Sequence, residues 1–374
     1  DLKCTPDSGF ILIGYSSSID GSAPSPIYGG YDYWVVKMDK DCNIEWEKKY
    51  GGSMADYGQS ILVCDSFYLA GGSASSNDGC VHGNHSPFDS DFWVLKLDLN
   101  GDTIWTKCFG GSSTEYECSI AETNDKGFII TGETRSNDGD VSGFHGNRDY
   151  WIIKIDSIGN LIWQKCFGGT DIERSFDIHH TNDNTYLITG FTQSNDGDVS
   201  GNHGGSDVWV VELDSNGTML DKKCYGGSFG DRGKQTFEYL DKYLCISQSS
   251  SIDGDVSGNH GGSDAWIFAT DANLNIINQL CLGGGGADGF TDAELTMNKN
   301  VVLTGVSYST DGDVPENKGN SDVWVVKLCF TPGIEIKSAD SITSCPGDSI
   351  AFSVSTNNTG ALAFQWQKES TDIP

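Results

Sequence analysis

The sequence predicts an all-β fold, a six-bladed β-propeller with four-stranded blades of about 58 residues, followed by the start of an immunoglobulin-like β-sandwich. Three observations carry the propeller. A tryptophan two residues after an aspartate recurs at Trp34, Trp93, Trp151, Trp209, Trp266 and Trp324, spaced 59, 58, 58, 57 and 58 residues apart. A steady period of that length marks a repeat architecture. Each period holds several short runs rich in β-branched and aromatic residues, bounded by Gly, Asn and Asp. The 48 glycines, with many Ser, Thr, Asn and Asp, favour short strands and turns over helices.

Residues 119–167 show the elements of one blade in order. "SIAETND" is the first strand, and a polar turn at Asn124–Gly127 leads into the second, "GFIITGET", whose apolar residues alternate as in a half-buried strand. A long acidic loop follows. "YWIIKID" and "NLIWQKCFGG" then form a hairpin across "SIG", where Gly159 is free to take a positive φ. Blades of this kind stack around an axis and leave only short edges. Asp1 aligns with Ser119, which places "SIAETND" innermost; the alternative is a rotated order with "WVVKLD" innermost. On the first order the acidic loops share one face with the "GG-S-x-x-(D/E)" junctions. The sixth repeat stops after Phe330, one strand short of 24, and residues upstream of Asp1 are expected to supply that outer strand. The domain reading is therefore propeller over 1–330 and the first part of a sandwich over 331–374, where "CPGDSIAFSV" and Trp366 resemble early sandwich strands. The chain reads as a fragment at both ends, with export signals outside it, and Cys345 is expected to pair in the absent part.

Lys plus Arg total 23 against 53 Asp plus Glu, a formal charge of -30. Such a charge repels nucleic-acid phosphates and anionic lipid surfaces, and it invites divalent cations. No apolar run is long enough to span a bilayer. Of the 12 cysteines, Cys108, Cys166, Cys224 and Cys281 occupy one repeated position, which suits small buried hydrophobes better than disulfides.

The repeats "DYWIIKIDSIGNLIWQKCFGG", "KGFIITGETRSNDGDVSG" and "GGSDVWVVELDSNG" resemble those of large secreted and surface proteins of Bacteroidetes, and more distantly the bacterial β-propeller repeat. The resemblance covers residues 1–329. It implies an extracellular or cell-surface, non-catalytic module followed by immunoglobulin-like domains and a sorting signal for type IX secretion.

The acidic loops hold the candidate chemistry. Repeats three to six keep three aspartates each: Asp138, Asp140 and Asp149; Asp196, Asp198 and Asp207; Asp253, Asp255 and Asp264; Asp311, Asp313 and Asp322. Repeats one and two keep Asp20 and Asp78 but have Ser22 and Cys80 at the second position. Calcium takes six to eight oxygen ligands from carboxylates and carbonyls, and these triplets could furnish such a set. Asp side chains also cap turns by accepting backbone N–H bonds, and both roles can hold together. His85, His145, His203 and His260 in the same loops read as solvated or turn-capping residues, one per blade and too dispersed for a zinc site. The paired tryptophans, such as Trp151 and Trp163, read as blade-to-blade packing.

No nucleophile elbow, phosphate loop or "HExxH" occurs, and almost every acid has counterparts in other blades. The expectation is that the chain is not an enzyme but binds a surface glycan or protein in adhesion, with calcium as the one candidate cofactor. The alternatives are a polysaccharide-acting enzyme using unrepeated positions such as Glu115, Glu173 or Arg174, and a structural spacer.

Overall fold

The computed structural model describes residues 1–18, 29–239, 242–296, 300–314, 317–331, 335–337, 366–368 and 371–373. Six antiparallel sheets, each ordered as the chain runs, make the six blades of a β-propeller. The first strands of the blades are Leu2–Cys4, Asp56–Cys64, Glu115–Glu122, Glu173–His180, Asp231–Tyr239 and Asp288–Leu295. First strands of neighbouring blades pack on one another and together line an axial cavity, so "SIAETND" is innermost and the rotated order is excluded.

The last blade differs at its outer edge. The short strand Glu335–Lys337 pairs with Cys329–Thr331, beyond the stretch Val301–Ser307 pairs with, which is Asp322–Leu328. Among the described residues no strand covers the outer side of Asp322–Leu328, and the closing strand expected from upstream of Asp1 is not among them. Most of the sandwich segment, Cys345 included, lies outside the described residues; Trp366–Lys368 and Thr371–Ile373 form a two-stranded pair.

One blade is too thin to enclose a core, so the apolar faces are buried between blades. Phe92 and Val94 of the second blade share a cluster with Ile130, Trp151 and Ile153 of the third. The recurrent tryptophans occupy the centre of these layers. Trp93, Trp151, Trp209, Trp266 and Trp324 are fully buried, while Trp34 of the first blade is half-buried. The residue preceding the tryptophan in one blade covers the tryptophan of the next: Tyr33 on Trp93 at 4.5 Å, Phe92 on Trp151 at 4.9 Å, Tyr150 on Trp209 at 4.7 Å between ring centroids. Tyr33 and Tyr150 also donate their hydroxyls to the carbonyls of Trp93 and Trp209 at 3.0 and 2.9 Å. A tyrosine buried between blades therefore keeps its polar end satisfied.

Directly opposite the tryptophans in the hairpin register stand Cys108, Cys166, Cys224 and Cys281. All four are free thiols, three of them buried and Cys108 half-buried, and burial pushes Cys224 and Cys281 up to about 12. The outer hairpins lock onto the preceding blade through glycine. Gly159 has φ 82°, and a Cβ there would come within 3.2 Å of the Trp105 ring. The equivalent Gly217 meets Trp163 in the same way.

Truncating one layer should be costly. Trp151→Ala is expected to lower the unfolding free energy by about 3–5 kcal/mol. A denaturant titration measures this, and a loss below about 1 kcal/mol would show that Trp151 is not a packing centre.

Candidate functional site

Thr134 pairs with Asp149 on one side and Glu115 on the other, so the loop 135–148 and the junction 110–114 emerge at one end of the blade. The same register recurs around the ring and gathers the acidic loops that are described on one face.

There the three aspartates of a loop take separate partners. The first reaches back to the previous blade's junction: Asp138 accepts the Ser112 N–H at 2.7 Å, Asp196 that of Thr170 at 2.8 Å, Asp253 that of Ser228 at 2.8 Å and Asp311 that of Gly285 at 2.7 Å. The second, Asp140, Asp198, Asp255 or Asp313, takes a long 3.3 Å bond from the N–H of Gly110, Gly168, Gly226 or Gly283. The third is bound by its own loop: Asp149, Asp207 and Asp264 each accept both the backbone N–H and Nδ1 of His145, His203 and His260, and Asp322 accepts the Lys318 N–H. Across blades, His145 Nε2 lies 3.8 Å from Asp198 and His260 Nε2 3.9 Å from Asp313. The third aspartate thus neighbours the second aspartate of the next blade, not of its own loop. Among the described residues no three His, Cys, Asp or Glu converge as a metal set. Asp20 and Ser22 lie outside the described residues.

The histidines are more than solvated caps. His85 and His203 sit above the ordinary imidazole range: burial lowers them, but the bonded Asp91 and Asp207 outweigh it. The sequence reading understated them because one histidine per blade has no visible partner until the loop folds back on its aspartate.

Each seam also holds a second buried carboxylate. Glu115, Glu173, Asp231 and Asp288 start the inner strands and are fully buried, as are Asp91, Asp149, Asp207 and Asp264 facing them. Glu173 accepts the Gly169 N–H at 2.8 Å and the Thr192 hydroxyl at 2.7 Å. Around Gly168 a Cβ would fall 2.6 Å from Glu173 Oε2 and 2.8 Å from Asp149 Oδ1, so the two carboxyls close on one glycine that tolerates no side chain. Oδ1 of Asp91, Asp149, Asp207 and Asp264 has no hydrogen-bond donor. Burial pushes Asp91, Asp149 and Asp207 up to about 6 and Glu115 to about 7, with the facing carboxylate adding to the rise at Glu115 and Asp149. Glu115 and Glu173 therefore cannot meet a substrate, and they are not unrepeated: Asp56, Asp231 and Asp288 hold the same place. The junction spacing "GG-x-x-x-(D/E)" carried that signal.

These raised groups fix a sign. Their folded values lie above their unfolded ones, so their stabilisation is complete below about pH 4 and is lost as pH rises through about 6 to 7. The melting temperature is expected to be several degrees lower at pH 8 than at pH 5, with a shallower slope in Glu115→Gln. A flat profile between pH 5 and 8, followed by calorimetry, would contradict it.

Nearer the axis the symmetry breaks. One second-strand position reads Tyr15, Ser73, Glu133, Phe191, Gln248 and Val306 around the ring, and its inner-strand neighbour reads Tyr57, Tyr116, Arg174, Arg232 and Gly289 in blades two to six. Tyr57 meets Tyr15 at 4.9 Å, Tyr31 at 5.7 Å and Tyr116 at 6.3 Å between centroids. Tyr15 and Tyr31 are 51% and 42% exposed. Opposite Tyr116, Glu133 binds Arg148 at 3.0 Å and Arg174 at 2.8 Å. Arg174 and Lys234 then lie over Phe176 at 5.5 and 4.4 Å, and Arg232 over Phe191 at 5.0 Å. An unbroken arc of tyrosines, cations and phenylalanines crosses five blades.

Below the arc is the axial cavity, about 500 Å³. The inner strands carry register shifts at Gly58/Ser60, Ser175/Asp177, Gly233/Gln235 and Phe290/Asp292, and the extra residues, Gln59, Phe176, Lys234 and Thr291, line the cavity. A bulge re-aims one side chain out of the alternating pattern. Deeper in, Asp177 is pushed up to about 6 by burial, and burial lowers His179. Asp177 accepts the Thr236 N–H at 3.1 Å, as Gln235 accepts that of Ala293 at 3.0 Å, which stitches the inner strands together.

No protein-family model and no curated protein matches the chain. Among solved structures it is similar to the Neurospora crassa Pan2 WD40 domain (9% identity, 80% of this chain and 72% of that one, TM-score 0.44). It is also similar to a Synechocystis apocarotenoid oxygenase (13%, 90% and 80%, TM-score 0.42) and to CoXyl43, a GH43 β-xylosidase/α-arabinofuranosidase from a compost microbial metagenome (12%, 74% and 92%, TM-score 0.37). These likenesses describe the fold alone. The expectation that this chain is not an enzyme is withdrawn. It rested on the repetition of acids around the ring, and the axial positions do not repeat.

Proposed function

We propose that the propeller is a ligand-binding and adhesion module of a large exported bacterial surface protein, and that it takes a surface glycan at the mouth of its axial cavity. The observation that carries this reading is the arc itself: where the framework residues repeat, the mouth residues change from blade to blade and bring exposed aromatic rings together. Tyrosine offers a rigid apolar face with a polar tip, suited to stacking on a sugar ring. The Bacteroidetes-like repeats support export, type IX secretion and a following immunoglobulin-like domain. The charge of -30 argues against nucleic acid and anionic membranes as partners.

A glycan array probed with the labelled propeller tests the reading. Retained glycans should lose about tenfold in affinity in Tyr57→Ala and Tyr116→Ala. No retention at all, or retention unchanged in both variants, would refute it.

Calcium is proposed as a stabiliser of the seams, supported by the unpartnered carboxylate oxygens of Asp91, Asp149, Asp207 and Asp264. The melting temperature should rise by several degrees in millimolar calcium over chelator at pH 8. Coincident transitions in the two buffers would remove calcium from the account.

A further inference from the structure

We infer that the histidine loops bind divalent ions of the zinc class across the seams, one ion between the histidine of a blade and the second aspartate of the next; this is independent of the glycan reading. Nε2 of His85, His145 and His260 faces Asp140, Asp198 and Asp313 of the following blade at 3.8, 3.8 and 3.9 Å. That gap is too long for a hydrogen bond. It suits a shared ion, because zinc stands about 2.0–2.2 Å from imidazole nitrogen and carboxylate oxygen, which puts two donors at a tetrahedral angle roughly 3.4 Å apart. A small tilt of the partly exposed imidazole closes the difference. The aspartate oxygen on the other side, Oδ2 in all three, receives only the long 3.3 Å bond from a glycine N–H.

Each imidazole is also held as a metal ligand is held. Nδ1 of His85, His145 and His260 is bound by the fully buried Asp91, Asp149 and Asp264 at 2.6, 2.7 and 2.7 Å, which aims Nε2 at the neighbouring blade. A carboxylate behind the ring fixes the tautomer and raises the basicity of the ligating nitrogen. The two donors also come and go together around the ring. His85, His145, His203 and His260 are each matched one repeat on by Asp140, Asp198, Asp255 and Asp313. The first repeat has Tyr28 at the histidine position and its match in the second is Cys80; the sixth has Lys318 and its match in the first is Ser22. No repeat keeps one donor without the other. A histidine that only capped its own aspartate would give no reason for this coupling across a seam, whereas a shared ion does. The nitrogen decides the metal, since calcium takes oxygen ligands and imidazole suits zinc, copper and nickel. Two protein donors leave the remaining positions to water.

Zinc chloride titrated into the reduced full chain at pH 8, followed by calorimetry, tests the site. One ion per chain should be lost, or bind about tenfold or more weakly, in His145→Gln, in Asp198→Asn and in the double variant, which should lose no second ion. Zinc held by the exposed thiols of Cys4 and Cys42 is common to all four proteins and cancels in the comparison. A thermal melt in chelator checks that the variants fold; should His145→Gln fail to, Asp198→Asn, which alters a partly exposed side chain, carries the test by itself. An unchanged zinc count in the variants would overturn the site. Loss in one single variant but not the other would overturn the bridge between blades.

Discussion

Burial between blades is the constraint on which the rest of the molecule depends. A four-stranded sheet has two faces, and an antiparallel sheet of this size cannot shield either from water alone. Each blade is stable only with a neighbour against both faces, so the apolar layer that holds Trp151 belongs jointly to two blades. The tryptophan strand, its covering Tyr or Phe, and the hairpin glycine that seats the previous blade's outer tryptophan all follow from that shared burial.

The same seams concentrate charge. At the junctions after the second to fifth blades two carboxyls are sealed together, the aspartate already held by histidine and, as at Glu115, its partner by a hydroxyl and a backbone N–H. Burying two acids together is unfavourable unless one is protonated or a cation intervenes. The glycine pair at each junction exists to let them approach: around Gly110 and Gly283, as around Gly168, any side chain would collide with both. Framework chemistry thus explains the acids that look most functional in the sequence, and it leaves Asp196 and Asp198, the best calcium candidates of their loop, as bonds to a neighbouring blade.

Freed from framework duty, the axial rim is where this propeller is individual. Its residues lie at the ends of the inner and second strands, half-exposed, where replacement does not disturb the layers. That is why Tyr57, Tyr116, Arg174 and Arg232 can differ at equivalent positions while Asp56, Glu115, Glu173 and Asp231 immediately before them cannot.

The sequence by itself determined the number of blades and their strands, because periodicity and strand alternation are local patterns that survive in one dimension; the structure chose the innermost strand from two possible orders and with it the face of the acidic loops. The sequence also showed four cysteines at one repeated position, which the strand register then set opposite the tryptophans. What it could not resolve was partnership. The three aspartates of one loop look like a set because they are adjacent in the chain, yet folding sends Asp138 and Asp140 to the previous blade and Asp149 to His145. Only the tertiary structure paired Asp149 with Glu173, some 24 residues away, and made a mouth of Tyr57, Tyr116, Arg174 and Arg232 from positions a full repeat apart. The physical reason is that a ring brings equivalent positions of successive repeats together at the axis, and a sequence read one repeat at a time keeps them apart.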